Sequence, residues 1–522
     1  MSAETSSTGA HLPPAESWLD VLLREKHLIL IACLCVYAGA RILLFSAAFP
    51  IGNNVDEQSH FDTVYRFVKG AAPQKELPTW DADSIRLFVL YMSPEYLNSA
   101  ETMHEGHWEA PVALIPRGLR DRAYHQVLSY ILNSPRNIEA QSPPTYYAVA
   151  SVWYQVGVLL GLKDWELFYW VRLLNVLCYS FLVWISYRFV AEAYPGHQFL
   201  RLAVPALIAV FPQDVFFGVS RDVLSAPCAA LALWLMFKML RSDTDRLGRG
   251  LATGLSIALT FLVNVSNSVL FGALGLTFWA RTRAWSGRKS GGFPLREAGL
   301  TTLTAILPPG LWMLQNYRLF GDLTGSKAKI EALHWTVKPV AAIFQHPIFS
   351  WSGASDFLTE LMRSFWRGEY VWHGQSMSLA AADWLYITTS CLLLAAFTVQ
   401  FLVGWNAGWS LERFSDFLAL FLVVSSVLFM VAISLAFDFH DCFYPSRLHP
   451  YFVSGRIISG TILPFSIIYV RGLEFVLKPI RAWVHPAVGL ALLMLTITAS
   501  ELIVRSPAFT SPFNFFALAG WR

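Results

Sequence analysis

The sequence predicts an all-α, polytopic membrane protein, and three observations carry that expectation. Only 14% of the 522 residues are charged, against roughly 25% in soluble domains. Hydrophobic residues make up 55% and mean hydropathy is +0.45. Uncharged runs recur from Leu28 onward, many near the roughly 20 residues that a helix needs to cross a bilayer. The net charge of +3 is too small to suggest nucleic acid as a partner. The aromatic content of 15% suits interfacial belts, and also grooves that stack on sugars or isoprenoids.

Taken in order, Met1 to Ser17 is polar and reads as disordered. The expected spans are Leu28–Phe49, Phe168–Val190, Leu200–Val219, Val223–Leu240, Leu251–Val265, Ser268–Ala280, Ala298–Tyr317, Leu379–Val403, Phe414–Ala436, Val453–Phe475 and Val484–Val504. Ser46-Ala47-Ala48 resembles a signal-peptide cleavage site, but the run before it is long enough to span, so it reads as an uncleaved first helix. Leu251–Val265 and Ser268–Ala280 are short and read as a helical hairpin turning at Asn264-Val265-Ser266-Asn267; one longer helix is the alternative. Arg24 and Lys26 place the N-terminus in the cytoplasm, and the basic loops Arg188–Arg201, Arg241–Arg249, Arg281–Arg296 and Arg471–Arg481 belong on the same side. That pattern holds if Pro143–Leu162 lies at the outer surface, which leaves about 11 crossings of the inner (plasma) membrane. The chain then divides into a cytoplasmic tail (1–26), a transmembrane module (27–317) with an extracytoplasmic loop (50–167), a second such loop (318–378), C-terminal helices (379–504) and an extracytoplasmic tail (505–522). The six cysteines are scattered, mostly within apolar runs, and show no metal or disulfide spacing.

The chemistry is sought in the outer loops. Asp56, Glu57, His60 and Asp62 sit where the first span emerges, and carboxylates at a membrane boundary are functional candidates by default. Adjacent Asp56 and Glu57 point about 100° apart on a helix, so one can face a cavity while the other pairs. A carboxylate there suits a general base; simple solvation of a helix end is the plainer alternative. Ser220-Arg221-Asp222 forms a tight connection between apolar runs. Arg221 suits a phosphate, since its planar fork binds oxygens in pairs, while Asp222 suits either the site or a helix N-cap. His440, Asp441, Arg447, His449 and Arg456 read as a cationic patch for a phosphate leaving group, or as interfacial anchoring. His60, His440 and His449 are considered as metal ligands, without a tight spacing motif to support them. Pro143-Pro144 sets the start of a helix, and Tyr146 and Tyr147 are candidate groove residues. Asn316 leads into the turn residues Gly321-Asp322 and Thr324-Gly325, and Ser364-Phe365-Trp366-Arg367-Gly368 is an aromatic-basic cluster in the same loop.

These motifs together resemble the GT-C superfamily of polyprenyl-phosphate-sugar-dependent glycosyltransferases, and within it the bacterial predicted membrane proteins called DUF2142. The resemblance rests on Asp56-Glu57-x-x-His60-Phe61, Pro143-Pro144-x-Tyr146-Tyr147, Ser220-x-Asp222, Asn316-x-x-x-x-Gly321-Asp322, Ser364-Phe365-Trp366 and Ser454-Gly455-Arg456. It covers the chain from about Val36 to Pro464. Two departures stand out: Asn53-Asn54-Val55 replaces the usual Pro-Pro before the first acids, and Ser454-Gly455-Arg456-Ile457 replaces Gln-Gly-Arg-Tyr. The resemblance implies an inverting enzyme of the cell envelope with a lipid-phosphate sugar donor and a glycan, lipid or protein acceptor. Asp56 would be the base, supported by Glu57, His60 and Asp222, with Arg221 and Arg456 holding the donor phosphate. It leaves open a divalent metal, Mg or Mn, which some superfamily members use. The competing expectation is a transporter or lipid flippase, which would show ionisable residues mid-span and an inverted repeat. The spans look nearly free of central charge, and no repeat is evident. A scaffold for envelope polymers is a third reading.

Overall fold

A computed structural model describes residues 18–53, 55–93, 110–132, 136–242, 244–283, 294–404, 408–442, 444–480 and 485–521. The polar N-terminal stretch, Asn54 and residues 284–293 of one basic loop lie outside the described residues. The first apolar run forms α1 (Trp18–Ala48), which ends at Phe49-Pro50, because the residue before a proline is disfavoured in helix. The long polar connection carries α2 (Glu57–Val68), α3 (Ala82–Tyr91), α4 (Arg117–Leu132) and α5 (Thr145–Leu159), the last starting directly after Pro143-Pro144. Then follow α6 (Trp165–Ala193), α7 (Gln198–Ala209), α8 (Ser225–Arg241), α9 (Leu247–Phe261), α10 (Val269–Arg281) and α11 (Leu295–Phe320). A second connection holds α12 (Lys327–Ala332), α13 (Val340–Ile343) and α14 (Trp351–Arg367). The chain closes with α15 (Ala380–Val403), α16 (Leu411–Ala436), α17 (Ile462–Leu477), α18 (Pro486–Thr510) and α19 (Phe515–Leu518). The only strands among the described residues form two short antiparallel ribbons, Thr336–Val337 with Phe437–Asp438 and Val371–Trp372 with Gln375–Ser376.

Seven helical stretches among the described residues are long and apolar enough to cross a membrane: Lys26–Ala48, Trp165–Ala193, Arg221–Arg241, Ala380–Val403, Leu411–Ala436, Gly455–Ile480 and Pro486–Leu518. Each matches an expected span. The hairpin reading also holds: α9 and α10 are separate helices, with a short 3-10 turn over Val265–Ser268 between them. Its first arm packs on α11 through the small residues Gly250 and Gly254. A Cβ on Gly250 would lie 2.7 Å from the Glu297 carbonyl oxygen, and one on Gly254 would collide with Thr301 and Thr304.

The expected span Leu200–Val219 is not one helix. It stops at Ala209, and the chain runs irregularly through Phe211-Pro212-Gln213 into a 3-10 turn over Asp214–Phe217. Pro212 disfavours helix at Phe211 and cannot donate a backbone hydrogen bond. The carbonyls this break exposes are met by buried arginines from two other spans. Arg41 of α1 donates to Phe211 O at 2.9 Å, and Arg505 of α18 donates to Pro212 O; both also pair with Glu501. The expectation of nearly charge-free spans passed over these groups. Buried backbone polar groups must find partners, and that requirement explains the charges without a transport pathway.

Candidate active site

Two buried ion networks build the site. Glu57 opens α2 and is fully buried. Its carboxylate receives both arms of the buried Arg172 guanidinium, at 2.8 and 2.7 Å, and the Val219 amide at 2.8 Å. Arg172 also donates to the carbonyls of Ser46, Phe49 and Pro50. The pair therefore ties the exit of α1, the start of α2, α6 and the Gly218–Ser220 turn to one point. Asp62 is likewise structural, accepting from Arg66, Asn137 and the Asp81 amide.

The residue before Glu57 takes the other direction. Asp56 has φ 60° and ψ 10°, left-handed backbone that is uncommon outside glycine and costs about 1–3 kcal/mol. This conformation sends its side chain into a cavity of about 560 Å³. The same cavity is lined by His60, Glu139, Arg221, Asp222, Lys329, Glu369 and Arg456, together with aromatic walls that include Trp80, Trp335 and Phe452. The chain thus brings five of the expected residues, Asp56, His60, Arg221, Asp222 and Arg456, to one place.

Arg456 is the hub. Its guanidinium donates to Asp56 Oδ2 at 2.7 Å, and lies 3.8 Å from Asp222 Oδ2 and 3.4 Å from Glu369 Oε2. Its position is set by the fit of two motifs: the Gly455 amide donates to Ser364 Oγ at 3.0 Å, and a Cβ on Gly455 would collide with the Phe365 backbone. Asp222 is held from the hairpin turn, where Asn264 Nδ2 donates to its Oδ1 at 2.7 Å. The N-cap alternative for Asp222 fails, because Ser220 caps that turn and accepts from the Asp222 amide. The second cluster centres on Glu139, which pairs with Arg221 at 3.2 Å and with Lys329. Lys329 is positioned by the expected turn: α11 ends at Gly321 (φ 70°), and Asp322 then accepts from the amides of Thr324, Ser326 and Lys327 to start α12.

The ionisation states follow from these contacts. Burial pushes the Asp56 carboxyl upward, but Arg456 and Lys329 outweigh it and hold the group below its usual range. Burial also opposes ionisation of Glu139, yet Arg221 and Lys329 keep it well below the usual range. Glu369 goes the other way: burial raises it, Arg456 and Ser454 offset only part of that, and its Oε1 is buried without a partner. Burial lowers His60 to about 4. The ring is therefore neutral near pH 7, with Nδ1 2.8 Å from the Tyr147 hydroxyl and Nε2 without a hydrogen-bond partner.

Other expected residues lie elsewhere. Glu57 is locked in its ion pair and does not line the cavity. Tyr146 and Tyr147 are fully buried rather than groove-lining. Asn316 Nδ2 donates to Leu323 O at 3.3 Å and braces the turn before Lys329. His440 bonds Thr336 Oγ1 and Arg447, each at 2.7 Å, and His449 is exposed, so the expected cationic patch is split and only Arg456 reaches the cavity. Three charged lining residues escaped the sequence reading: Glu139, Lys329 and Glu369. Their signals were weak, an acid four residues before Pro143-Pro144, a lysine after the Gly325 turn, and an acid directly after the Ser364–Gly368 cluster.

A divalent metal does not fit this wall. Among the described residues, no group of three His, Cys, Asp or Glu side chains is arranged to hold one. Asp56, Asp222 and Glu369 instead share the Arg456 cation.

Solved structures that resemble the chain include three of the oligosaccharyltransferase from Archaeoglobus fulgidus. One, tethered with an acceptor peptide, has TM-score 0.42 at 9% identity; one, in complex with an inhibitory peptide and a dolichol-phosphate, has 0.40 at 10%; a complex with Zn and sulfate has 0.38 at 10%. They cover 93%, 95% and 91% of this chain, which spans 55%, 57% and 53% of theirs. A search of curated proteins gave no match. The family described as predicted membrane protein (DUF2142) matches residues 41–440, most of the chain and of the cavity wall though not Arg456, and the protein belongs to that family.

Proposed function

We propose that the protein is an inverting glycosyltransferase of GT-C type that moves a sugar from a polyprenyl-phosphate donor to an acceptor hydroxyl at the extracytoplasmic face. The observation that carries this reading is the single cavity holding an ionised, half-buried Asp56 together with the Arg221–Lys329 pair. A transfer needs both, since the nucleophile must lose a proton while the leaving phosphate gains charge.

In this reading Asp56 Oδ1 takes the proton of the acceptor hydroxyl, while Oδ2 stays on Arg456 and fixes the carboxylate. The acceptor oxygen forms the new bond to the anomeric carbon from the face opposite the phosphate. The old carbon–oxygen bond breaks, and its electron pair leaves with the lipid phosphate. Arg221 and Lys329 are two cations that meet Glu139 and, at 4.0 Å from Arg221, Asp222, and so suit that phosphate better than Arg456, a single cation that faces three carboxyl groups. This moves the phosphate role from Arg456 to Lys329. His60 Nε2 and the aromatic wall suit sugar hydroxyls and faces.

The test is incubation of purified protein with a panel of polyprenyl-phosphate sugars, scoring release of polyprenyl phosphate. Asp56→Asn should lower release at least 100-fold while leaving expression and thermal unfolding unchanged. Full activity of the folded variant refutes Asp56 as the base.

A further inference from the structure

We propose that Arg456 is a built-in cation that neutralises Asp56, Asp222 and Glu369 in place of a divalent metal, and that the wall binds no divalent ion until Arg456 is removed. Three observations converge on it. The three carboxyl groups come from distant parts of the chain, yet each lies within 3.8 Å of one guanidinium. Hydrogen bonds from other groups hold two of them in place, Asn264 on Asp222 and Ser454 on Glu369 Oε2 at 2.9 Å, so the acids do not depend on Arg456 alone for their positions. The backbone that carries Arg456 is fixed beside the acids, because Gly455 is wedged against Phe365 and Ser459 Oγ donates to Asp222 O at 3.2 Å.

The physical consequence follows from charge and ligand type. Hard divalent ions take carboxylate oxygens at about 2.0–2.6 Å, and an arginine that is charged at every accessible pH excludes them from the same oxygens by repulsion and by volume. Removing the cation without removing the acids leaves two or three carboxylates around a gap the size of a guanidinium. Carboxylate oxygens are the ligand type that Mn²⁺ or Mg²⁺ prefers, and with the guanidinium gone the side chains are free to close on one ion.

The experiment measures Mn²⁺ binding to the purified full-length protein in detergent by the loss of the free Mn²⁺ spin-resonance signal. It needs no sugar donor, so the glycosyl-transfer reading can fail without affecting it. Wild type and Arg456→Lys should show no site that depends on Asp56. Arg456→Gln should gain one site, binding at least tenfold tighter than any residual Mn²⁺ binding by wild type, and adding Asp222→Asn should abolish it. Should Arg456→Gln not fold, the double variant Arg456→Gln/Glu369→Gln carries one less uncompensated charge and serves as the same test. A wild-type site lost on Asp56→Asn overturns the proposal, as does a folded Gln variant with no tenfold gain.

Discussion

Glu57→Gln changes one atom type in the side chain, yet it removes the charge from a pair in which both partners are fully buried. Arg172 would keep its carbonyl partners but lose two charge-assisted bonds of 2.8 and 2.7 Å, and one Glu57 oxygen also serves the Val219 amide. An uncompensated buried guanidinium typically costs about 3–5 kcal/mol, a large share of a total stability of about 5–15 kcal/mol. The expected outcome is a markedly lower unfolding temperature for Glu57→Gln in detergent, read by tryptophan fluorescence. Asp56→Asn, one residue earlier, should leave unfolding unchanged and abolish transfer. Removing both charges, in Glu57→Gln/Arg172→Met, should recover part of the loss, because no lone charge then stays buried. Wild-type unfolding of Glu57→Gln, or a double variant that loses the full sum of the single effects, would refute the structural assignment of Glu57.

His60 gives a pH signature. Its folded pKa of about 4 lies below the unfolded value near 6.5, so the unfolded chain binds a proton first as pH falls, and stability drops between pH 6.5 and 4. The shift corresponds to about 3 kcal/mol over that window, and His60→Gln should flatten this part of the stability curve in pH-dependent unfolding. Lys329→Gln should raise KM for the lipid donor about tenfold with a smaller change in unfolding temperature, since Lys329 is partly exposed; an unchanged KM would return the phosphate role to Arg456.

Much of the site was legible because its parts are short and unusual for a membrane chain. Asp56, Arg221, Asp222 and Arg456 stand out as charges at the ends of apolar runs, and the topology argument set them at one end of the bundle. Glu139, Lys329 and Glu369 did not stand out, because they lie in ordinary polar loops where a charge needs no explanation. The division of labour within Asp56-Glu57 was equally hidden. Spacing said that one of the two could pair, and only Arg172, 115 residues away in sequence, decides which.

The sequence by itself determined the membrane class, seven of the spans, the helical hairpin and the families of motif that meet at the cavity. It could do so because hydropathy, proline and glycine act locally on the backbone. The tertiary structure decided which arginines satisfy the break after α7, the burial of Glu57, and the placing of Arg456 among three acids. Those depend on which distant group arrives to satisfy a buried charge or carbonyl, a choice made by packing across hundreds of residues and written in no single stretch of the chain.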